Sequence, residues 1–180
     1  MDKLVVITQK EDIFETYQNT PIGDLLEYQN LNRVFESHSS AKLLVGMCMD
    51  NRKHLTIPEN FAYIIRAGGA NLRYSEFKVS YAISVGGIEH IALIGHNNCG
   101  MVNLNARKDQ FIDGLVAKAG WNRDAAEQHF NHFEPLFEIG NEVDFICSEA
   151  KRLRLRYPKI MVAPMMYNVD DNKLALIREE

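Results

Sequence analysis

Long apolar runs are missing from this sequence. Nowhere in its 180 residues is there a stretch near the ~20 apolar residues that a membrane span needs. A basic excess is missing too. Twenty Lys and Arg face 24 Asp and Glu, for a net charge of −4. A nucleic-acid-binding face, which is strongly cationic, is therefore not expected. Cysteine is sparse and odd in number, at three, which argues against a disulfide framework. The opening Met1-Asp2-Lys3-Leu4-Val5-Val6-Ile7 is too short an apolar stretch for a secretory leader, and Lys10-Glu11-Asp12 ends it. A cytoplasmic protein is expected. Repeats and low-complexity tracts are absent. Neither Gly68-Gly69 nor Gly86-Gly87 fits a dinucleotide or phosphate-loop pattern, so both read as turns.

What remains is a globular composition, 46% hydrophobic and 24% charged. The length fits one domain with a sizeable core. Three short, continuous apolar runs read as strands buried on both faces: Lys42–Cys48, Phe61–Arg66 and Ile91–Gly95. Between the second and third, Phe77, Tyr81, Ala82 and Val85 share one helical face, with Ser75 as a candidate N-cap. Strand, helix and strand make a right-handed parallel crossover. Helices are also expected at Pro21–Leu31, Asp124–His132 and Leu136–Tyr157, the last interrupted near Gly140. Lys159–Ala163 reads as a fourth strand. Met165–Val169 and Lys173–Ile177 read as a closing hairpin. The basic run Lys151–Arg156 reads as solvated last turns of a helix. The sum is an α/β fold with a mostly parallel central β-sheet flanked by helices.

Ligands in open α/β sheets collect beyond the carboxyl ends of the strands. Cys48 ends the first strand. His96 and Cys99 follow the third, in Gly95-His96-Asn97-Asn98-Cys99-Gly100. If those strands are neighbours, two thiols and an imidazole converge. That set suits zinc, with a fourth position open to water. The plain alternative is two small buried cysteines and a satisfied polar histidine. Asp50 and Arg52, just past Cys48, weigh against it: paired, Arg52 holds Asp50 ionised and aimed.

These residues resemble a known family. Cys48-Met49-Asp50-Asn51-Arg52, Ile65-Arg66-Ala67-Gly68-Gly69-Ala70 and His96-Asn97-Asn98-Cys99-Gly100 are similar to the motifs of the β-class carbonic anhydrases, in their short prokaryotic branch. The tail Met166–Leu174 resembles that branch's closing hairpin. The resemblance implies one zinc ion per chain on Cys48, His96 and Cys99. It implies Asp50 and Arg52 as a catalytic dyad, with Asp50 as a fourth ligand in a closed state, and Ala67, Gly68 and Gly69 at the substrate pocket. The implied activity is reversible hydration of carbon dioxide to bicarbonate by a zinc-bound hydroxide. The implied domain is a single 1–180 unit, with residues 1–40 as a helical arm and 41–180 as the zinc-binding core. An antiparallel C-terminal edge hairpin and a homodimer or higher assembly follow as well. Hydrolysis of carbonyl sulfide or carbon disulfide on the same centre is the alternative activity, and a zinc-binding module with little catalysis is another. A thiol redox role lacks a Cys-x-x-Cys pair.

Two stretches depart from the family pattern. The asparagine expected after Arg66 is missing or shifted to Asn71. The Arg52–Arg66 stretch is short, so a helix usual there is expected to shrink to a loop. His54, His90, His129 and His132 are proton-shuttle candidates by type alone. His129 and His132 otherwise read as a solvated helix face, and Cys147 as a buried structural thiol. Trp121, Phe130, Phe133 and Phe137 are expected to pack a helix against the body or a partner subunit.

Overall fold

Continuous apolar runs within short strands decide the architecture. In the computed structural model, which describes residues 3–179, the first run forms β2 (Leu43–Met47) and the third forms β4 (His90–His96). The second forms β3 (Ala62–Arg66). Around them lie β1 (Leu4–Val6), β5 (Met161–Asn168) and β6 (Lys173–Ile177). The sheet order is β1-β6-β5-β4-β2-β3. Strands β3, β2, β4 and β5 are mutually parallel; β6 and β1 add antiparallel pairing at one edge. Met1, Asp2 and Glu180 of the expected 1–180 domain lie outside the described residues.

Among the described residues five α-helices flank the sheet: α1 (Pro21–Leu31), α2 (Glu76–Ser84), α3 (Lys108–Ala119), α4 (Arg123–Phe137) and α5 (Glu142–Arg156). On β2, Leu43, Val45 and Met47 face α1, packing with Ile22, Leu25, Leu26 and Tyr28. Leu44 faces the other way, toward Val79 and Ala82 of α2 and Ile146, Ala150 and Leu153 of α5. Each such aliphatic side chain contributes about 1.5–3 kcal/mol on full burial. None of these helices is long and apolar enough to cross a membrane. The expected helical arm, residues 3–40 as described, supplies α1 and also the edge strand β1.

Several boundaries differ from expectation for identifiable reasons. Strand β3 is not buried on both faces; Tyr63 and Ile64 are 43% and 46% exposed. It is the last strand of the sheet, and residues 48–61 leading into it form a loop with no helix to cover it. Lys159–Ala163 and Met165–Val169 are not two strands but one, β5, running through Pro164. Pairing with β6 starts only at Met165, so the missing proline donor falls where that ladder has ended. Helix α3 was not foreseen. It buries only Ile112 fully, so its apolar stripe is thin. Helix α4 passes Pro135 and ends at Phe137. Asn141 then caps α5, accepting from the Asp144 N–H at 3.0 Å. Ser75 precedes α2 but makes no capping bond. The basic end of α5 is paired more than solvated. Arg152 bonds Glu149 and Glu76, and Arg154 bonds Glu179 and the Val162 carbonyl.

Helix α1 starts where Thr20 Oγ1 accepts from the Ile22 and Gly23 N–H groups and Pro21 opens the first turn. It is tied to the antiparallel edge by buried Asn30. Asn30 Nδ2 donates to the Ile7 and Leu174 carbonyls at 3.0 and 2.8 Å, and its Oδ1 accepts from the Leu174 N–H at 3.0 Å. Asn30→Ala would leave those buried groups without partners. The expected loss of unfolding free energy is about 1–3 kcal/mol, read from urea melts with an unchanged slope. A wild-type midpoint would show that these bonds do not hold α1.

Candidate metal centre

Strands β2 and β4 are parallel neighbours, with Met47 opposite Ile94. Their carboxyl ends therefore open on the same side. Cys48 leaves β2 there, and His96 ends β4 there. Asn98 takes a left-handed conformation, φ +54°, and the turn brings Cys99 back over the strand end. Both thiols and the imidazole are buried. Their ligand atoms all lie within 4.8 Å of one another. The two sulfurs are 4.0 Å apart, against about 3.8 Å for two thiolates on a tetrahedral zinc with ~2.3 Å bonds.

The histidine is oriented for ligation. Its Nδ1 lies 2.9 Å from the Asn97 carbonyl, a contact that places the ring proton on Nδ1. Nε2 is left buried with no hydrogen-bond partner and faces the thiols. A buried polar atom without a partner is costly and calls for an explanation. A metal ion between Nε2 and the two sulfurs supplies one, and the soft donor set fits zinc. Cys48 Sγ also accepts from the Gly69 N–H at 3.3 Å. Its pKa is pulled down, first by the hydrogen bond from Cys99, while Cys99 is pushed up by holding the shared proton. A metal that takes both as thiolates displaces that proton.

Asp50 Oδ2 lies 4.0 Å from His96 Nε2. Arg52 grips this carboxylate, with Nη2 to Oδ2 at 2.7 Å and Nε to Oδ1 at 3.0 Å. The Arg52 guanidinium, then its backbone N–H, hold Asp50 well below the usual carboxylate range. Arg52 Nη2 also donates to the Asn98 carbonyl at 2.9 Å, which links the β2 and β4 loops. The five residues singled out from sequence thus meet at one point.

The Arg66 segment runs beside it. Ala67 N–H donates to Met47 O and its carbonyl accepts from Met49 N–H, extending the β2–β3 ladder past the strands. Gly68 faces Met101, whose sulfur a Cβ would approach to 2.9 Å. Gly69 has φ +61°, and a Cβ there would lie 2.7 Å from Ile139. Asn71 is buried; its side chain donates to the Leu136 carbonyl and accepts from the Arg73 N–H. The expected loop is present over residues 53–61.

Next to the centre is a cavity of about 430 Å³, lined by Met49, Gly68 and Met101 on one side and Phe111, Phe133 and Phe137 on the other. Phe130 also lines it, whereas Trp121 packs against His129. The aromatic face of α4 therefore walls a cavity as well as packing. The spacing 130, 133, 137 was the signal; without α3, its counterpart was invisible. Of the histidines, His129 lies on this wall. His54 and His132 are exposed. His90 opens β4 at its far end, about 20 Å from His96 by strand rise. Cys147 is half-buried rather than buried. Two cations with no role expected from the sequence lie beside the site: Lys53, fully buried, and Arg66, which bonds the carbonyls of Cys48, Asp50 and Lys53.

The carbonic anhydrase family profile matches residues 47–176. Among solved structures, the carbonic anhydrase from Glaciozyma antarctica is 24% identical with a TM-score of 0.59, over 76% of this chain and 83% of that one. The β-carbonic anhydrase isoform I from Trichomonas vaginalis is 19% identical with a TM-score of 0.63, over 97% of this chain and 100% of that one. A carbon disulfide hydrolase is 19% identical with a TM-score of 0.57, over 78% and 80%. No curated protein sequence matches. At these identities the structures speak for the fold, and the motifs speak for themselves within the matched span. With the profile covering more than two-thirds of the sequence and the sheet shared with those structures, the chain belongs to the β-class carbonic anhydrase family.

Proposed function

We propose that this protein catalyses the reversible hydration of carbon dioxide to bicarbonate, using one zinc ion per chain on Cys48, His96 and Cys99. The observation that carries this reading is the buried, unpartnered His96 Nε2, which faces two thiols and lies 4.0 Å from an Arg52-bound carboxylate. When bound, zinc supplies the Lewis acidity that makes water a nucleophile near neutral pH. Asp50, ionised under Arg52, accepts a hydrogen bond from the attacking water and aims its lone pair. By gripping the Asp50 carboxylate, Arg52 would hold it back from a zinc ion on the three ligands, which supports an open fourth position over the closed state with Asp50 as ligand. The apolar cavity admits an uncharged substrate and excludes bulk water. Gly68 lines the near wall without a side chain that would fill it, between Ala67 and Gly69. The same apolar lining, with the thioethers of Met49 and Met101, also suits carbonyl sulfide or carbon disulfide.

Two further readings accompany the activity. A free thiol pair at the centre suits a reducing compartment such as the cytoplasm. A second copy of the chain would cover the open β3 edge, where Tyr63 and Ile64 adjoin the exposed Phe77 and Tyr81 of α2.

Elemental analysis of the purified protein is expected to find about one zinc per chain, lost in His96→Ala. Metal-free protein with wild-type folding in both would sink the zinc reading. Stopped-flow hydration by zinc-loaded Asp50→Asn is expected to fall about 100-fold or more below wild type. Equal rates in the two would reject the dyad, and negligible carbon dioxide turnover alongside carbonyl sulfide hydrolysis would favour the alternative substrate. Sedimentation is expected to show a dimer that Ile64→Glu dissociates; a wild-type monomer would overturn the assembly.

A further inference from the structure

Two cations beneath the centre have no part in the chemistry just described. Lys53 is fully buried, and its Nζ donates to the Asp50 carbonyl at 3.2 Å. An ammonium group removed from water is costly unless it is compensated. Arg66 reaches across from the end of β3. Its Nη1 donates to the Cys48 and Asp50 carbonyls at 3.4 and 3.3 Å, and its Nη2 to the Lys53 carbonyl at 3.2 Å. Every one of these acceptors is a backbone carbonyl of the same short loop. The Asp50 carbonyl receives both cations. This loop carries one thiol of the centre and the carboxylate beside it, but past the Met49 bond to the Ala67 carbonyl no ladder holds it, because the stretch after β2 is coil. Two thiolates and a carboxylate at one point also repel one another, and two nearby positive charges offset that repulsion.

We propose that Lys53 and Arg66 are positioning residues that preform the metal centre, clamping the Cys48–Lys53 loop by its carbonyls so that Cys48 faces His96 and Cys99 before the metal arrives. This rests on the zinc reading above. Neither residue touches the reacting atoms. Their effect runs through the loop, as an outer layer of hydrogen bonds orients metal ligands.

The test compares wild type with Lys53→Met, Arg66→Gln and the double variant. Zinc affinity is measured by competition with a chromophoric chelator, the cobalt-substituted spectrum reports the ligand set, and melting of metal-free protein reports the fold. Each single variant is expected to bind zinc about tenfold more weakly, with the cobalt spectrum of the same three ligands. The double variant is expected to lose less than the product of the two, because both cations share the Asp50 carbonyl. A folded variant with wild-type zinc affinity would overturn the proposal. A lower melting point at unchanged affinity would do the same, by assigning the residue to the fold alone. If Lys53→Met does not fold, Arg66→Gln at the exposed end of β3 decides the matter. Unchanged affinity, with unchanged amide exchange over residues 48–53 in the metal-free state, would overturn the clamp. Wild-type protein that binds no zinc would instead remove the reading on which the clamp rests.

Discussion

The site depends on one pairing, β2 beside β4 in parallel with Met47 opposite Ile94. Parallel neighbours end on the same side of a sheet, so residues just past both ends share one crevice. Cys48 comes from one strand end and His96 and Cys99 from the other. A strand inserted between them would move the thiols about 4.8 Å apart on top of their present separation. A one-residue slip would send the flanking side chains to opposite faces. The Arg52 bond to the Asn98 carbonyl then ties the two loops together. Local geometry, charge and access all follow from that adjacency.

Charge balance is the second constraint. Two cysteine sulfurs and the Asp50 carboxylate crowd one buried point, and Arg52, Lys53 and Arg66 stand around it. Their duties differ by geometry. Arg52 meets the carboxylate itself, and a planar guanidinium suits that fork of contacts. Lys53 and Arg66 meet only backbone carbonyls. One cation therefore governs the ionisation and aim of Asp50, while two govern where its backbone lies.

The short connection after β2 shapes the molecule around the site. A parallel crossover usually carries a helix, but residues 48–61 are loop. Helix α1, from the N-terminal segment, covers the sheet face left bare, packing on Leu43, Val45 and Met47. Nothing within the described chain covers the β3 edge. On the other side of the centre, α3 and α4 pack against each other, and their aromatic rings close the apolar cavity. The helix-free connection thus leaves the edge strand β3 uncovered and leaves the loop past Met49 to be held by side chains.

Much of this was legible in the sequence. Continuous apolar runs marked β2 and β4, because buried parallel strands need apolar side chains on both faces. Chemistry-bearing residues directly after each run marked the centre. The edge character of β3 was hidden, since Phe61–Ile65 is as continuously apolar as the buried runs of β2 and β4. The union of two runs into β5 was hidden by Pro164, whose tolerance depends on where β6 stops. Helix α3 was hidden by its thin apolar stripe, and with it the cavity. Lys53 reads in sequence as an ordinary surface lysine; its burial follows only from the loop folding back under the strand ends. The sequence by itself determined which residues can bind a metal, because donor chemistry belongs to the side chain. Tertiary structure alone decided that they meet, that His96 Nε2 is left without a partner, and that Lys53 and Arg66 converge on the same loop carbonyls, because those facts depend on which strands are neighbours.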